Sequence, residues 1–161
     1  MTVKDLVIRE MKKSSSWTRY LLKSFDTQKE FEVPEGIKAN GNWEIGHILI
    51  SRHFHSVVSV FGKQDELMDK IPFREYARNY AMGSQPADNQ EQKPSIEKMM
   101  EDLRAVDEVA IRLIENMDES EFDETPLRDH PVAKTKLEAL MWSSQHQMWH
   151  NGQLAMVKNL V

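Results

Sequence analysis

The sequence predicts an all-α protein, a four-helix bundle with long connections between its helices. Four segments carry apolar residues at steps of three and four, the spacing that places side chains on one face of a helix. Clusters of proline, glycine and asparagine separate these segments, and no stretch alternates apolar and polar residues as a strand does. Four long amphipathic helices bury their apolar faces against one another, which is the packing of a bundle.

The first helix is predicted from about residue 3 to residue 25. Thr2 and Asp5 form a capping-box pattern, which marks a helix start. Residues 14–16 are three serines that weaken the middle of the segment, but the apolar spacing resumes after them, so we predict one helix rather than two. The apolar positions are Val3, Leu6, Val7, Met11, Trp17, Leu21 and Phe25.

The second helix is predicted over about residues 43–62, with Asn42 as its N-cap. His47 lies inside the apolar stripe, whereas His53 and His55 lie on either side of it and are predicted at solvent or at the rim. Taken alone, His47 is better explained as a buried histidine hydrogen-bonded to a carbonyl group, and it is the distant pair His146 and His150 that favours a metal ligand. The apolar stripe consists of Trp43, Ile50, Phe54, Val57, Val58 and Phe61.

Two further long helices are predicted in the second half of the chain. A connection with a short helix at about residues 73–81 leads to Pro94, and the third helix follows, with apolar residues from Ile96 to Met117. A second capping box, Thr135 with Glu138, opens the last helix, which contains no proline up to Val161. His130 belongs to the loop before it.

The last helix is predicted to be apolar on two opposite faces. Leu137, Leu140, Met141, Met148 and Ala155 form one face, and Ala139, Trp142, Trp149, Leu154, Val157 and Leu160 surround the histidines on the other. A helix that is apolar almost all round is buried on both faces. One face serves the bundle and the other a partner subunit, so we expect a homodimer.

Three histidines indicate a metal site. His146 and His150 are four residues apart, so both imidazoles project from one face of the last helix and reach a common point. His47 is the best candidate for a third nitrogen ligand, and three imidazoles suit zinc or nickel with an open position for water or substrate. The pattern is not a metalloprotease motif, because Gln147 stands where the general base would be. It is not a di-iron motif either, because one Glu-x-x-His segment is present where two are needed.

Composition narrows the classes of function. Residues 1–161 are expected to form one domain. The chain has 21 basic and 26 acidic residues, and the resulting net charge of −5 disfavours nucleic-acid binding. No apolar run approaches the roughly 18 residues that span a bilayer, so we expect a soluble, cytoplasmic protein that does not bind membranes. The chain has no cysteine, which excludes thiolate ligands and a cysteine nucleophile.

Two segments resemble the signature regions of the DinB/YfiT-like superfamily. They are Trp43-Glu44-Ile45-Gly46-His47-Ile48-Leu49 and His146-Gln147-Met148-Trp149-His150-Asn151-Gly152-Gln153-Leu154, with His130-Pro131 similar to a segment that often precedes the last helix there. The resemblance implies an up-down-down-up four-helix bundle, often dimeric, with a divalent metal held by His47, His146 and His150. Known activities in that superfamily include thiol-dependent S-transferases and a mycothiol-dependent isomerase.

Two functions of different class follow from these residues and this resemblance. The first is a metal-dependent enzyme that acts on a small molecule, either a thiol-dependent transferase or a hydrolase. Because the chain has no cysteine, a low-molecular-weight thiol would bring the sulfur nucleophile of the transferase. The second is a non-catalytic metal-binding or interaction protein in which the ion ties two helices together. An open coordination position favours the enzyme, and a fourth protein ligand, such as Glu44 or a residue of a second subunit, favours the structural role. Trp43, Trp142 and Trp149 either line a substrate pocket or belong to the core.

Overall fold

A computed structural model describes residues 1–161, and its regular secondary structure is all helical, with no strand; besides the helices named next, short 3-10 helices lie at Thr27–Lys29, Gln90–Gln92 and Glu119–Asp123. The helices are α1 (Val3–Leu22), α2 (Gly41–His53, continued without a break by a π-helical segment Phe54–Val58 and a last α turn Ser59–Phe61), α3 (Asp65–Met68), α4 (Phe73–Tyr80), α5 (Ile96–Glu115) and α6 (Lys136–Leu160). None of them combines the length and the apolar character that a membrane-crossing helix needs. The four long helices predicted from apolar spacing, and the short helix near residues 73–81, are therefore present.

The helix starts follow the predicted caps, with one exception. Both capping boxes form, at Thr2 with Asp5 and at Thr135 with Glu138. At α2 the N-cap is Asn40, whose side chain accepts a hydrogen bond of 2.8 Å from Trp43 N–H, so the prediction of Asn42 is wrong by two residues. Asn42 lies instead inside the first turn, where it is buried and accepts a hydrogen bond from the Tyr80 hydroxyl.

Helix α1 is one helix, as predicted, but it ends at Leu22 rather than near residue 25. Phe25 leaves the helix and packs on Gly41, where an added Cβ atom would lie 2.3 Å from the phenyl ring. The contact needs a residue without a side chain, and it places the first turn of α2 directly on the end of α1.

Helix α2 lies in the middle of the molecule and is covered on nearly every side. It packs against α4, α5 and α6, and the connection at residues 124–135 runs along its last turns, where Leu127 N–H donates to Ser59 O over 2.7 Å. The prediction that His53 and His55 lie at solvent or at the rim is therefore wrong, because both are buried. His53 is stacked on Phe73 of α4, and His55 contacts His130 of the connection.

Helix α6 differs from the predicted pattern of two apolar faces. Its buried residues include apolar side chains at both ends, but the middle of the buried face is polar; Met148 and Trp149 are exposed. The polar middle faces an equally polar stretch of α1. There Thr18 donates to Asn151 over 2.7 Å, and the Gln147 amide donates to Thr18 over 2.8 Å.

The side chain of Arg52 crosses from α2 into this polar interface. It is 1% exposed, the largest fully buried side chain of the chain. Its guanidinium donates to Ser14 (2.7 Å) on α1 and to Ser143 (3.1 Å) and Gln147 on α6. Its Nε lies 3.2 Å from Oδ1 of Asp107 on α5, and Asp107 also accepts a bond of 2.6 Å from Ser15. One buried cation thus contacts all three other long helices.

We predict that Arg52→Met lowers the free energy of unfolding by about 3 kcal/mol or more, because it leaves the Asp107 carboxylate without its buried cation. Arg112→Met is the control, since Arg112 pairs with Glu66 and both side chains are about half exposed. Its cost should stay below about 1 kcal/mol. Urea denaturation followed by circular dichroism measures both changes, and equal costs for the two variants would contradict the role of the buried network.

Candidate metal centre

Three histidines from two helices converge at one point. His47 on α2 and the pair His146 and His150 on α6 each offer a ring nitrogen, and these three atoms lie within 4.8 Å of one another. The ring centroid of His150 is 4.4 Å from that of His47 and 4.6 Å from that of His146. His150 is buried and the other two are partly buried. The structure therefore brings together the three residues that the sequence predicts as ligands.

The position of His47 depends on the small residue beside it. An added Cβ atom on Gly46 would lie 2.4 Å from the ring of Tyr80, so only glycine lets the end of α4 approach α2 this closely. The approach puts the Tyr80 carbonyl oxygen 2.7 Å from Nδ1 of His47. A carbonyl only accepts, so Nδ1 carries the proton and the Nε2 lone pair is left for another partner. Ser51 Oγ lies 3.3 Å from that Nε2.

The position of His150 depends on a buried carboxylate. Oε2 of Glu44 lies 2.8 Å from Nδ1 of His150, and Glu44 is fully buried. The carboxylate accepts the Nδ1 proton, so the neutral form of His150 has its lone pair on Nε2. Histidines that bind metals have this arrangement, in which one ring nitrogen donates to an oxygen atom and the other faces the ion.

The structure also defines the role that Glu44 can have. With the Gln153 amide oriented to satisfy both of its neighbours, Gln153 donates to Oε1 of Glu44 and accepts from the indole N–H of Trp149, each over 3.1 Å. Both oxygens of Glu44 are therefore engaged, and the contact with His150 is on the side of the ring away from Nε2. Glu44 orients His150 and is not placed as a fourth ligand to the same point.

Burial keeps the imidazoles of His47 and His146 uncharged near neutral pH. It lowers the pKa of His47 to about 4, against the opposing effect of the Tyr80 hydrogen bond, and it lowers the pKa of His146 to about 3 with a further contribution from His150 and His47. A neutral imidazole is the form that binds a metal ion. The site therefore offers three imidazole nitrogen donors beside one buried carboxylate, a donor set that fits a divalent transition metal.

Three tryptophans surround the histidines. Trp43 stacks on His47 with a centroid distance of 4.8 Å, and its indole N–H donates to Ser84 over 2.9 Å. Trp142 and Trp149 lie 5.9 Å and 6.1 Å from the ring of His146. Trp149 is 61% exposed and so is not a core residue. These rings provide apolar surface next to the three histidines.

Two more histidines extend the cluster, and sequence reasoning missed both. Nδ1 of His55 lies 2.7 Å from Nε2 of His130, and the ring of His55 is 5.4 Å from that of His146. The chain has six histidines, and five of them thus form one contiguous group. The segment His130-Pro131 was a sequence signal for His130. The contact between His130 and His55, however, joins a loop to a π-helical segment, and helical spacing predicts neither the position nor the geometry of that contact.

Comparison with known protein families gives one match. The family described as DinB superfamily matches residues 11–154, a span that contains all three candidate ligands. A search of curated proteins finds no match to the chain.

Proposed function

The chain belongs to the DinB superfamily, and from this membership and the geometry of the site we propose that it is a metal-dependent enzyme acting on a small molecule. His47, His146 and His150 would hold one divalent ion, zinc or nickel. The observation that carries the proposal is that three imidazoles converge, and that the oxygen acceptors of His47 and His150 bind Nδ1 of each ring, the nitrogen opposite to Nε2. Imidazole nitrogen is a preferred ligand of both metals.

The bound ion would supply a Lewis acid that lowers the pKa of a water molecule or a thiol and stabilises negative charge. The side chains of the protein have separate tasks. Glu44 holds the ring of His150 in place and sets a negative charge against the cation. The surfaces of Trp43, Trp142 and Trp149 would bind the apolar part of a substrate and limit the access of water.

The reaction we propose is a thiol-dependent transfer, with metal-assisted hydrolysis as the other candidate. The chain has no cysteine, so a sulfur nucleophile must come from a low-molecular-weight thiol. The non-catalytic alternative, an ion that only ties α2 to α6, requires a closed site. Both oxygens of Glu44 bond to other groups, which argues against Glu44 as the fourth ligand and so supports the enzyme over the closed site.

We further propose the up-down-down-up bundle that the family resemblance implies. The close packing of α1 with α6 and of α2 with α5 and α6 supports it. The proposed partners are a small-molecule substrate and a thiol rather than nucleic acid or a membrane, in keeping with the net charge of −5. A cytoplasmic location stays a prediction.

We predict roughly one divalent ion per chain in the purified protein, because three convergent imidazoles bind zinc or nickel far more tightly than scattered surface histidines do. Elemental analysis should show the ion lost in His47→Ala, His146→Ala and His150→Ala. His53→Ala is the control, because His53 is buried against Phe73 away from the cluster, and it should keep the ion. Equal metal content in all four folded variants would refute the ligand assignment.

We predict that physiological thiols bind at the open coordination position. Zinc sites bind sulfur well and lower the pKa of a thiol from about 8.5, which raises the thiolate fraction at neutral pH. The measurement is a titration of the cobalt-loaded protein with small thiols, and the expected signal is the charge-transfer absorption of a cobalt–sulfur bond. If no physiological thiol gives that band while water still exchanges at the metal, hydrolysis becomes the better proposal.

We also propose a homodimer and predict a mass of about twice 18.8 kDa in light scattering at micromolar concentration. The support is an exposed apolar stripe on α6, formed by Trp149, Met156 and Leu160 at helical spacing. The double change Met156→Glu and Leu160→Glu should give a monomer of unchanged helix content. Met82→Glu is the control, since Met82 is 92% exposed and lies outside the long helices. A monomeric wild type would rule the dimer out.

A further inference from the structure

The hydrogen-bond partners of His130 determine which of its ring nitrogens carries the proton. Its Nδ1 accepts backbone N–H groups from Ala133, over 2.9 Å, and from Val132, over 3.3 Å. A nitrogen that accepts these bonds is unprotonated, so the single proton of the neutral ring is on Nε2. This proton is donated to Nδ1 of His55, 2.7 Å away.

The same reasoning then applies to His55. Its Nδ1 accepts from His130, so the neutral ring of His55 carries its proton on Nε2. The reverse order, in which His55 donates to His130, would leave His130 with two accepting nitrogens and no proton, which a neutral imidazole cannot have. The backbone of residues 132 and 133 thus sets the tautomer of His55 through His130.

This order of protons separates the two histidines from the metal ligands. His47 and His150 direct Nδ1 at oxygen acceptors, which leaves Nε2 as a lone pair for an ion. His130 directs Nδ1 at N–H donors. A neutral imidazole that binds a metal through Nε2 carries its proton on Nδ1, and in His130 that proton would clash with those N–H groups. The pair is therefore a poor second metal site, although its two nitrogens face each other at close range.

Nε2 of His55 has no hydrogen-bond partner in the protein. This nitrogen still touches solvent, whereas the partnerless Nε2 of His53 is sealed from solvent. The ring of His55 is 5.4 Å from the ring of His146. His55 lies in the π-helical segment Phe54–Val58, and such local widenings of a helix are frequent at functional sites.

We propose that His55 is a substrate-binding residue, which donates its Nε2–H to an oxygen acceptor, a carbonyl or a carboxylate, of the molecule that occupies the open side of the three histidines. His130 is its positioning residue, because it fixes the tautomer. The inference rests on the proposed function in that it places the ligand next to the metal site. It adds the chemical class of that ligand: a small molecule with a hydrogen-bond-accepting oxygen atom.

The tautomers can be tested without any metal. Nitrogen-15 NMR of the imidazole side chains in the metal-free protein should show His55 and His130 both protonated at Nε2 near neutral pH. In His130→Phe, His55 should lose this fixed state and populate both tautomers. Protonation of His55 at Nδ1 in the wild type would overturn the inference.

The binding role can be tested with acetate as the probe. Acetate should shift the Nε2–H signal of His55 in the zinc-loaded protein, and His55→Phe should weaken acetate binding about tenfold or more, since a hydrogen bond to a charged acceptor is lost. His53→Phe is the matched control, a buried histidine of the same helix that should bind acetate as the wild type does. Zinc content should be unchanged in both variants.

The outcomes separate this inference from the proposed function. If zinc is bound but acetate leaves the His55 signal unmoved, or binds equally to His55→Phe, the role of His55 is wrong and the metal site stands. If neither zinc nor nickel is bound, the proposed function fails, and the same acetate titration on the metal-free protein still decides whether His55 binds an oxygen acceptor.

Discussion

The burial of α2 on nearly every side is the constraint on which the rest of the structure depends. A buried polar group is costly unless it is hydrogen-bonded, and α2 carries several such groups along its length. Four of them find their partners on the elements that cover the helix. Glu44 meets His150 of α6, His47 meets the carbonyl of Tyr80, Arg52 reaches all three other long helices, and His55 meets His130 of the last connection. The polar contacts of one helix thus determine how the others are placed.

Much of the fold follows from local rules that the sequence displays directly. Apolar spacing locates the four long helices, and the capping boxes at Thr2 and Thr135 mark two of their starts. The spacing of His146 and His150 also predicts that their rings share a face. The third histidine, His47, is found because it interrupts an apolar stripe. These features depend on neighbours in the chain, and so they are readable without a structure.

The misassigned residues depend on distant parts of the chain. His53 and His55 fall beside the apolar stripe if one buried face is assumed, but α4 covers the first and the connection with His130 covers the second. The π-helical segment changes the direction of His55 in a way that a regular helical period cannot predict. Arg52 gives no sequence signal at all, because its partners lie on three other helices. The tautomers of the histidines belong to the same class, since a ring nitrogen's role depends on the atom opposite it.

The polar interface between α1 and α6 fixes the orientation of α6 more strictly than apolar packing would. Hydrogen bonds are directional, whereas apolar contacts tolerate small rotations of one helix against another. Gln147 and Asn151 each follow a candidate ligand in sequence, and both are bonded to Thr18 of α1. A shift of α6 by one residue would turn its faces by about 100° and break these bonds. The hydrogen bonds that satisfy the buried polar side chains of α6 therefore also keep His146 and His150 facing His47.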